Sequence, residues 1–253
     1  MDLDTALERR TVRVGDWSLA GWRRGPREDG GTTPVVCVHG AGVSSRELGP
    51  LVAALGERVP AWTVDLPGFG KSTKPPRPLD LSALADALAG WLAAAELPPA
   101  CLVGCSFGCQ LAVDVAVRHP RRVRSLVLVG PTVDPRARSW SRMIGRWMRN
   151  SVREDPRMTP LNVADYRDAG LRRVVATFQV AMRDRVEDKL PHVSVPTLVV
   201  RGEHDRMVPQ DWAEQVTSLT PGARLVVVPG MPHMIPFRGP EALAPIITGF
   251  TSS

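Results

Sequence analysis

Long apolar runs are missing from this 253-residue chain. No stretch of 18 consecutive apolar residues occurs, so no membrane-spanning segment is expected. The first ten residues, Met-Asp-Leu-Asp-Thr-Ala-Leu-Glu-Arg-Arg, are charged and lack an apolar h-region. That argues against Sec export and makes a cytoplasmic protein the expectation. Cysteine is scarce, and the spacing of the four present (Cys37, Cys101, Cys105, Cys109) matches no zinc site. All four fall on apolar runs or beside one tight turn, where a free thiol in a reducing compartment behaves as a small hydrophobe. Lysine occurs only at 71, 74 and 189, so the formal charge of +6 is carried almost wholly by arginine. Those arginines are scattered and no nucleic-acid-binding motif accompanies them, so the charge reads as solvated surface and no nucleic-acid partner is expected. Nothing in the sequence calls for a metal or an organic cofactor.

At this length, with 43% hydrophobic residues, the chain can bury a substantial core. Thr11–Val14 and Trp17–Trp22 alternate apolar with polar around Gly15-Asp16, which predicts a β-hairpin. A loop follows over Gly25–Thr33. Six later apolar runs, 35–39, 61–65, 101–104, 123–129, 195–201 and 223–228, are continuous rather than alternating. That is the pattern of parallel strands covered on both faces. Helical patterns separate them, notably Leu81–Leu97 and Ser106–His119, so right-handed β-α-β crossovers are expected.

The stretch 132–191 breaks this alternation and holds only helical patterns interrupted by proline. Trp140, Met143, Ile144, Trp147 and Met148 recur at i, i+3, i+4, i+7 and i+8, making one apolar face with Arg138, Arg142, Arg146 and Arg149 mostly off it. A second helix, Leu171–Arg185, places Leu171, Val174, Val175, Phe178 and Met182 on one side. Most of these residues would pack the helices onto the body. Part of the Trp/Met face (Trp140, Met143, Ile144, Trp147) could instead roof a site for an apolar group. A third reading is a basic amphipathic helix on a membrane surface.

Gly104-Cys105-Ser106-Phe107-Gly108 lies between an apolar run and a helical run, so G-x-S-x-G sits at a strand-to-helix junction. A serine at the tip of so sharp a turn takes strained backbone angles, and its neighbours come too close to carry side chains. Cys105 is not the residue such a turn presents. Further pieces follow apolar runs: His39-Gly-Ala-Gly42, Asp65-Leu-Pro-Gly-Phe-Gly-Lys-Ser72, Gly202-Glu-His-Asp205 and Pro229-Gly-Met-Pro-His233.

In these five pieces and their order the sequence resembles the α/β-hydrolase superfamily over nearly its whole length. The resemblance implies an α/β fold with a mostly parallel eight-stranded sheet flanked by helices. It also implies a core of residues 1–131 and 192–253, with a small helical cap, 132–191, inserted after strand 6. Ser106 would be the nucleophile and His233, following the eighth strand, its base. His39, His119, His192 and His204 are worse placed. Asp205 would orient the imidazole, with Asp134 a rival position for the acid. The backbone N–H groups of Ala41 and Phe107 would form the oxyanion hole. The expected activity is hydrolysis of a small carboxylic ester, lactone or thioester with an apolar acyl group. Alternatives are a C–C bond hydrolase of the meta-cleavage-product type, or a non-hydrolytic ligand-binding or biosynthetic protein. Cys109 stands where C–C hydrolases usually carry a second glycine after the serine. Epoxide hydrolases and haloalkane dehalogenases use an aspartate where this chain has Ser106. The oligomeric state is left open.

Overall fold

The structure, a computed structural model, describes residues 3–26 and 31–252. Residues 27–30 of the expected 25–33 loop, and residues 1, 2 and 253 of the expected core, lie outside the described residues. After a one-turn helix α1 (Leu3–Ala6), β1 (Glu8–Val14) and β2 (Trp17–Arg24) form the hairpin, with Val14 opposite Trp17 across Gly15-Asp16. Alternation then begins with β3 (Val35–Val38), α2 (Gly49–Leu55), β4 (Ala61–Val64) and α3 (Leu81–Ala94). It continues through β5 (Ala100–Cys105), α4 (Phe107–Arg118) and β6 (Val123–Val129). Four helices follow without a strand: α5 (Trp140–Ser151), α6 (Met158–Ala169), α7 (Leu171–Arg183) and α8 (Val186–Lys189). The chain closes with β7 (Thr197–Gly202), α9 (Gln210–Leu219), β8 (Arg224–Val228), α10 (Ile235–Arg238) and α11 (Pro240–Thr251).

The eight strands form one sheet in the order β1-β2-β4-β3-β5-β6-β7-β8. β2 runs antiparallel to β1 and β4, and every pairing from β4 to β8 is parallel. Every residue of β3, β4, β5 and β7 is buried, as continuous apolar runs require when both faces are covered. One core lies on the face covered by α3, α4 and α9, where Trp62 and Trp91 meet edge to face at 5.6 Å. The other lies under α2 and α11. Two helices end earlier than the apolar pattern predicts. α3 stops at Ala94 because Glu96 takes a left-handed φ of 59°, and α7 stops at Arg183 because Asp184 is extended.

Polar clamps hold the four-helix stretch against the strand ends. Asp165 of α6 accepts both the N–H and the hydroxyl of Ser44 at 2.9 Å and pairs with Arg46. Gln110 of α4 donates to the Ala181 carbonyl at 3.0 Å, and Lys189 meets Asp114 at 2.7 Å. On α5, Arg146 reaches the buried Asp134 at 2.7 Å.

The turn at Ser106 is a tight junction between β5 and α4. Ser106 has φ 55° and ψ −117°, and its two glycine neighbours are dictated by space rather than by rotation. A Cβ on Gly104 would lie 2.5 Å from the Gly108 carbonyl oxygen, and one on Gly108 only 2.2 Å from that of Val38 in β3. Both obstacles are backbone. Gly108→Ala should therefore lower stability by about 3 kcal/mol or more, beyond ordinary overpacking. Gly145→Ala, in α5 with nothing within 4 Å of the new Cβ, should raise it by up to about 1 kcal/mol. Thermal or urea unfolding of the two variants checks the contrast.

Candidate functional site

Parallel strands deliver their C-terminal ends to one edge of the sheet, and the loops leaving β3, β5, β6, β7 and β8 converge there. Ser106 follows β5 and Thr132 follows β6. Their hydroxyl oxygens are 3.4 Å apart. Asp205 follows β7. Its Oδ1 accepts the N–H groups of Met207 and Val208 at 2.8 and 2.9 Å, which leaves Oδ2 to accept from Nδ1 of His233 at 2.8 Å. His233 follows β8 and is buried, as is Asp205. The rival acid, Asp134, is engaged elsewhere, its carboxylate held by Arg136 and Arg146.

A cavity of about 530 Å³ opens over these loop ends, and both Ser106 and His233 line it. His233 is the one histidine of the five that does. His119 binds Asp86 on the outer surface, and His192 is exposed. His39 is structural: its Nδ1–H donates to the Gly40 carbonyl at 2.9 Å and its Nε2 accepts from the Leu66 N–H at 3.1 Å. Burial lowers its pKa to about 4, so the ring is neutral and braces the His39–Gly42 loop. Ala41 of that loop lines the cavity. Phe107 is the first residue of α4, where backbone N–H groups have no acceptor within the helix and the dipole is positive. Cys105 points away, with its sulfur 3.8 Å from that of Met234, and burial pushes its thiol pKa well up. The four cysteines are all buried and unpaired.

Of the four residues proposed as a roof, the structure brings only Trp147 to the cavity. Met143 packs into the main core, while Trp140 and Ile144 are exposed outside. The reason is the phase of α5, whose inner side is set by Met143 and Asn150 and so turns the rest of the stripe outward. The apolar walls come instead from Val43, Met158, Phe178 and Met207.

Three polar residues of the site were not anticipated. Thr132 is an ordinary hydroxyl in a loop and carries no sequence signal. Glu47 reads from the sequence as the fourth position of a Ser-x-x-Glu capping box starting at Ser44. In the fold its Oε1 accepts the Gly40 N–H at 2.6 Å, and the Ser44 N–H goes to Asp165. Glu154 joins the cavity from the α5–α6 loop, its Oε1 accepting from Asn150 at 2.6 Å and from the Met234 N–H at 3.1 Å. Burial raises the pKa of both carboxyls, that of Glu47 to about 8. For His233 burial acts downward, but the charge and hydrogen bond of Asp205, with Glu154 behind it, outweigh burial and hold its pKa above the ordinary histidine value. Among the described residues no group of three or more His, Cys, Asp or Glu could hold a metal ion.

A sheet in this strand order, carrying a serine at a left-handed turn between its fifth strand and the following helix, is the α/β-hydrolase architecture. Residues 35–246 match the model of the alpha/beta hydrolase family, and the chain belongs to that family of hydrolases. It is 28% identical over 250 residues to 2-(acetamidomethylene)succinate hydrolase of Mesorhizobium japonicum, across 88% of this chain and 90% of that protein. Against pimeloyl-[acyl-carrier protein] methyl ester esterase of Neisseria meningitidis it is 27% identical over 241 residues, 85% of this chain and 92% of the other. Among solved structures, a serine hydrolase involved in carbazole degradation superposes with a TM-score of 0.82 at 24% identity, covering 98% of this chain and 99% of that one.

Glu47 gives the site a measurable signature in stability. The native carboxyl keeps its proton to about pH 8, whereas an unfolded glutamate loses it near 4.5. Between those values the native state binds the extra proton, so stability should fall as pH rises. Glu47→Gln keeps the acceptor for Gly40 and removes the titration. Denaturant unfolding across this range should give a flatter pH dependence for the variant than for the wild type.

Proposed function

We propose that the chain is a serine hydrolase of small, neutral carboxylic esters, lactones or thioesters with an apolar acyl group. One observation carries this reading: the Asp205–His233 hydrogen bond and the strained turn at Ser106 open into a single largely apolar cavity. His233, with Nδ1–H held by Asp205, keeps Nε2 free as the base for Ser106. Ser106 Oγ attacks the acyl carbon as its proton passes to Nε2, and the oxyanion is met by the N–H groups of Ala41 and Phe107. Collapse releases the alcohol, which takes the proton from His233. Water activated by the same nitrogen then hydrolyses the acyl-enzyme and frees Ser106. Residues 1–131 and 192–253 form the hydrolase core in this reading, and 132–191 a helical cap that supplies part of the cavity wall. No helix among the described residues is long and apolar enough to cross a membrane, and the buried free thiols suit a reducing cytoplasm.

The cavity lining favours an uncharged substrate. Glu47, Glu154 and Asp155 contribute to it, and among the described residues neither lysine nor arginine does. A dicarboxylate would therefore meet acidic groups with no cation to pair it. Cleavage of a C–C bond is the second reading; the relative that acts on 2-(acetamidomethylene)succinate, an enamide and not an ester, supports only that similar chains are not confined to esters.

Two experiments test the proposal. Hydrolysis of p-nitrophenyl esters of graded acyl length should peak at one length and fall by about four orders of magnitude or more in Ser106→Ala. Absence of Ser106-dependent turnover at every length, with hydrolysis of a vinylogous ketone, would replace the ester reading by the C–C one. The acid limb of kcat/KM against pH should have its midpoint above the ordinary histidine value of about 6.5, because the base works only when neutral. Glu154→Gln removes a negative charge near His233 and should shift that midpoint downward.

A further inference from the structure

The outer side of α5 is more apolar than its packing requires. Its inner side is Met143 and Asn150, with Arg146 turned in to Asp134. Outward, Ile144, Met148 and Val152 succeed one another at four-residue intervals and are 50%, 62% and 82% exposed. Trp140 and Trp147 widen this ridge, at 41% and 50% exposed. The ridge has a basic edge. Arg149, Arg153 and Arg206 share a shallow surface groove with Met148 and Val152, and no acidic side chain among the described residues pairs with them. The ridge also adjoins the mouth of the cavity, because Trp147 and Val152 line both, and half-exposed Val163 of α6 lines the cavity as well.

We propose that this ridge docks the protein on an anionic lipid bilayer, so that apolar substrates pass from the lipid into the cavity. Charge complementarity is the reason to choose lipid as the occupant. Guanidinium groups beside an apolar ridge suit lipid phosphates beside acyl chains, and tryptophan settles at the boundary between them. Docking of this kind lies along the surface and needs no spanning helix. The proposal stands apart from the identity of the bond cleaved, and its test reads binding and turnover separately.

The test is co-sedimentation with vesicles of phosphatidylcholine alone or mixed equally with phosphatidylglycerol, at low and high salt. Hydrolysis of a short water-soluble ester is followed on the same preparations. The wild type should bind the phosphatidylglycerol vesicles and be released by salt. Arg149→Gln with Arg153→Gln should weaken that binding about thirtyfold. Ile144→Ser with Met148→Ser should weaken it as well. Both double variants should keep their wild-type melting temperature and soluble-ester turnover, since none of the four residues lines the cavity. Absence of binding to phosphatidylglycerol vesicles, or binding that both double variants retain, would overturn the proposal. So would a dimer that the Ile144/Met148 variant dissociates while vesicles are ignored, which would make the ridge a self-association surface. Retention on an acidic acyl carrier protein without vesicle binding would overturn it in favour of a protein partner.

Discussion

The site depends on one backbone constraint, the left-handed conformation of Ser106 where β5 gives way to α4. A non-glycine residue in such a conformation costs of order 1–3 kcal/mol and persists only if its surroundings enforce it. Here β5 is buried along its whole length and hydrogen-bonded to neighbours on both sides, and α4 buries ten of its twelve residues. Neither element can shift to relax the turn. Gly104 and Gly108 let the helix double back within van der Waals reach of β3. The result sets the serine and the first N–H of α4 at the floor of the cavity.

Around that floor, two opposing effects decide the ionisation of the polar groups. Burial penalises charge on His39, Glu47, Glu154 and His233 alike. For His39 nothing of sufficient strength opposes burial, and the ring serves as a neutral brace. For His233 the carboxylates win, and its basicity is raised. Asp134, which the chain places one loop away, is drawn off by Arg136 and Arg146, whose hydrogen bonds overcome burial and hold its pKa low. Competition among partners thus assigns to His233 one acid, Asp205, out of the two offered by the sequence.

Legibility differed by element. The six parallel strands and the hairpin were readable from apolar runs and alternation, and their ends fell within a few residues of the predictions. However, β8, at the edge of the sheet, is not covered on both faces as its apolar run predicts: only Val228 of it is buried. The helices between β6 and β7 were readable as helices but not as surfaces. A stripe at i, i+3, i+4, i+7 and i+8 says that one side is apolar, not that it faces inward. Met143 went to the core, Trp147 to the cavity edge, and Trp140 and Ile144 outward. Glu47 was hidden for a different reason, since its local pattern is that of a helix cap. Thr132 and Glu154 are tied to the site by neighbours 26 and 80 residues away along the chain.

What the sequence by itself determined is the strand order of chemistry: a serine between two glycines after the fifth strand, an aspartate after the seventh and a histidine after the eighth. Local sterics explain the two glycines, and the aspartate and histidine were readable from a motif order that resembles the α/β-hydrolase superfamily. Only the tertiary structure decided which acid the histidine meets, which carboxyls share the cavity and which side of α5 is left to solvent. Those outcomes depend on how far each element is rotated about its axis and on the competition among distant partners. No local pattern encodes either.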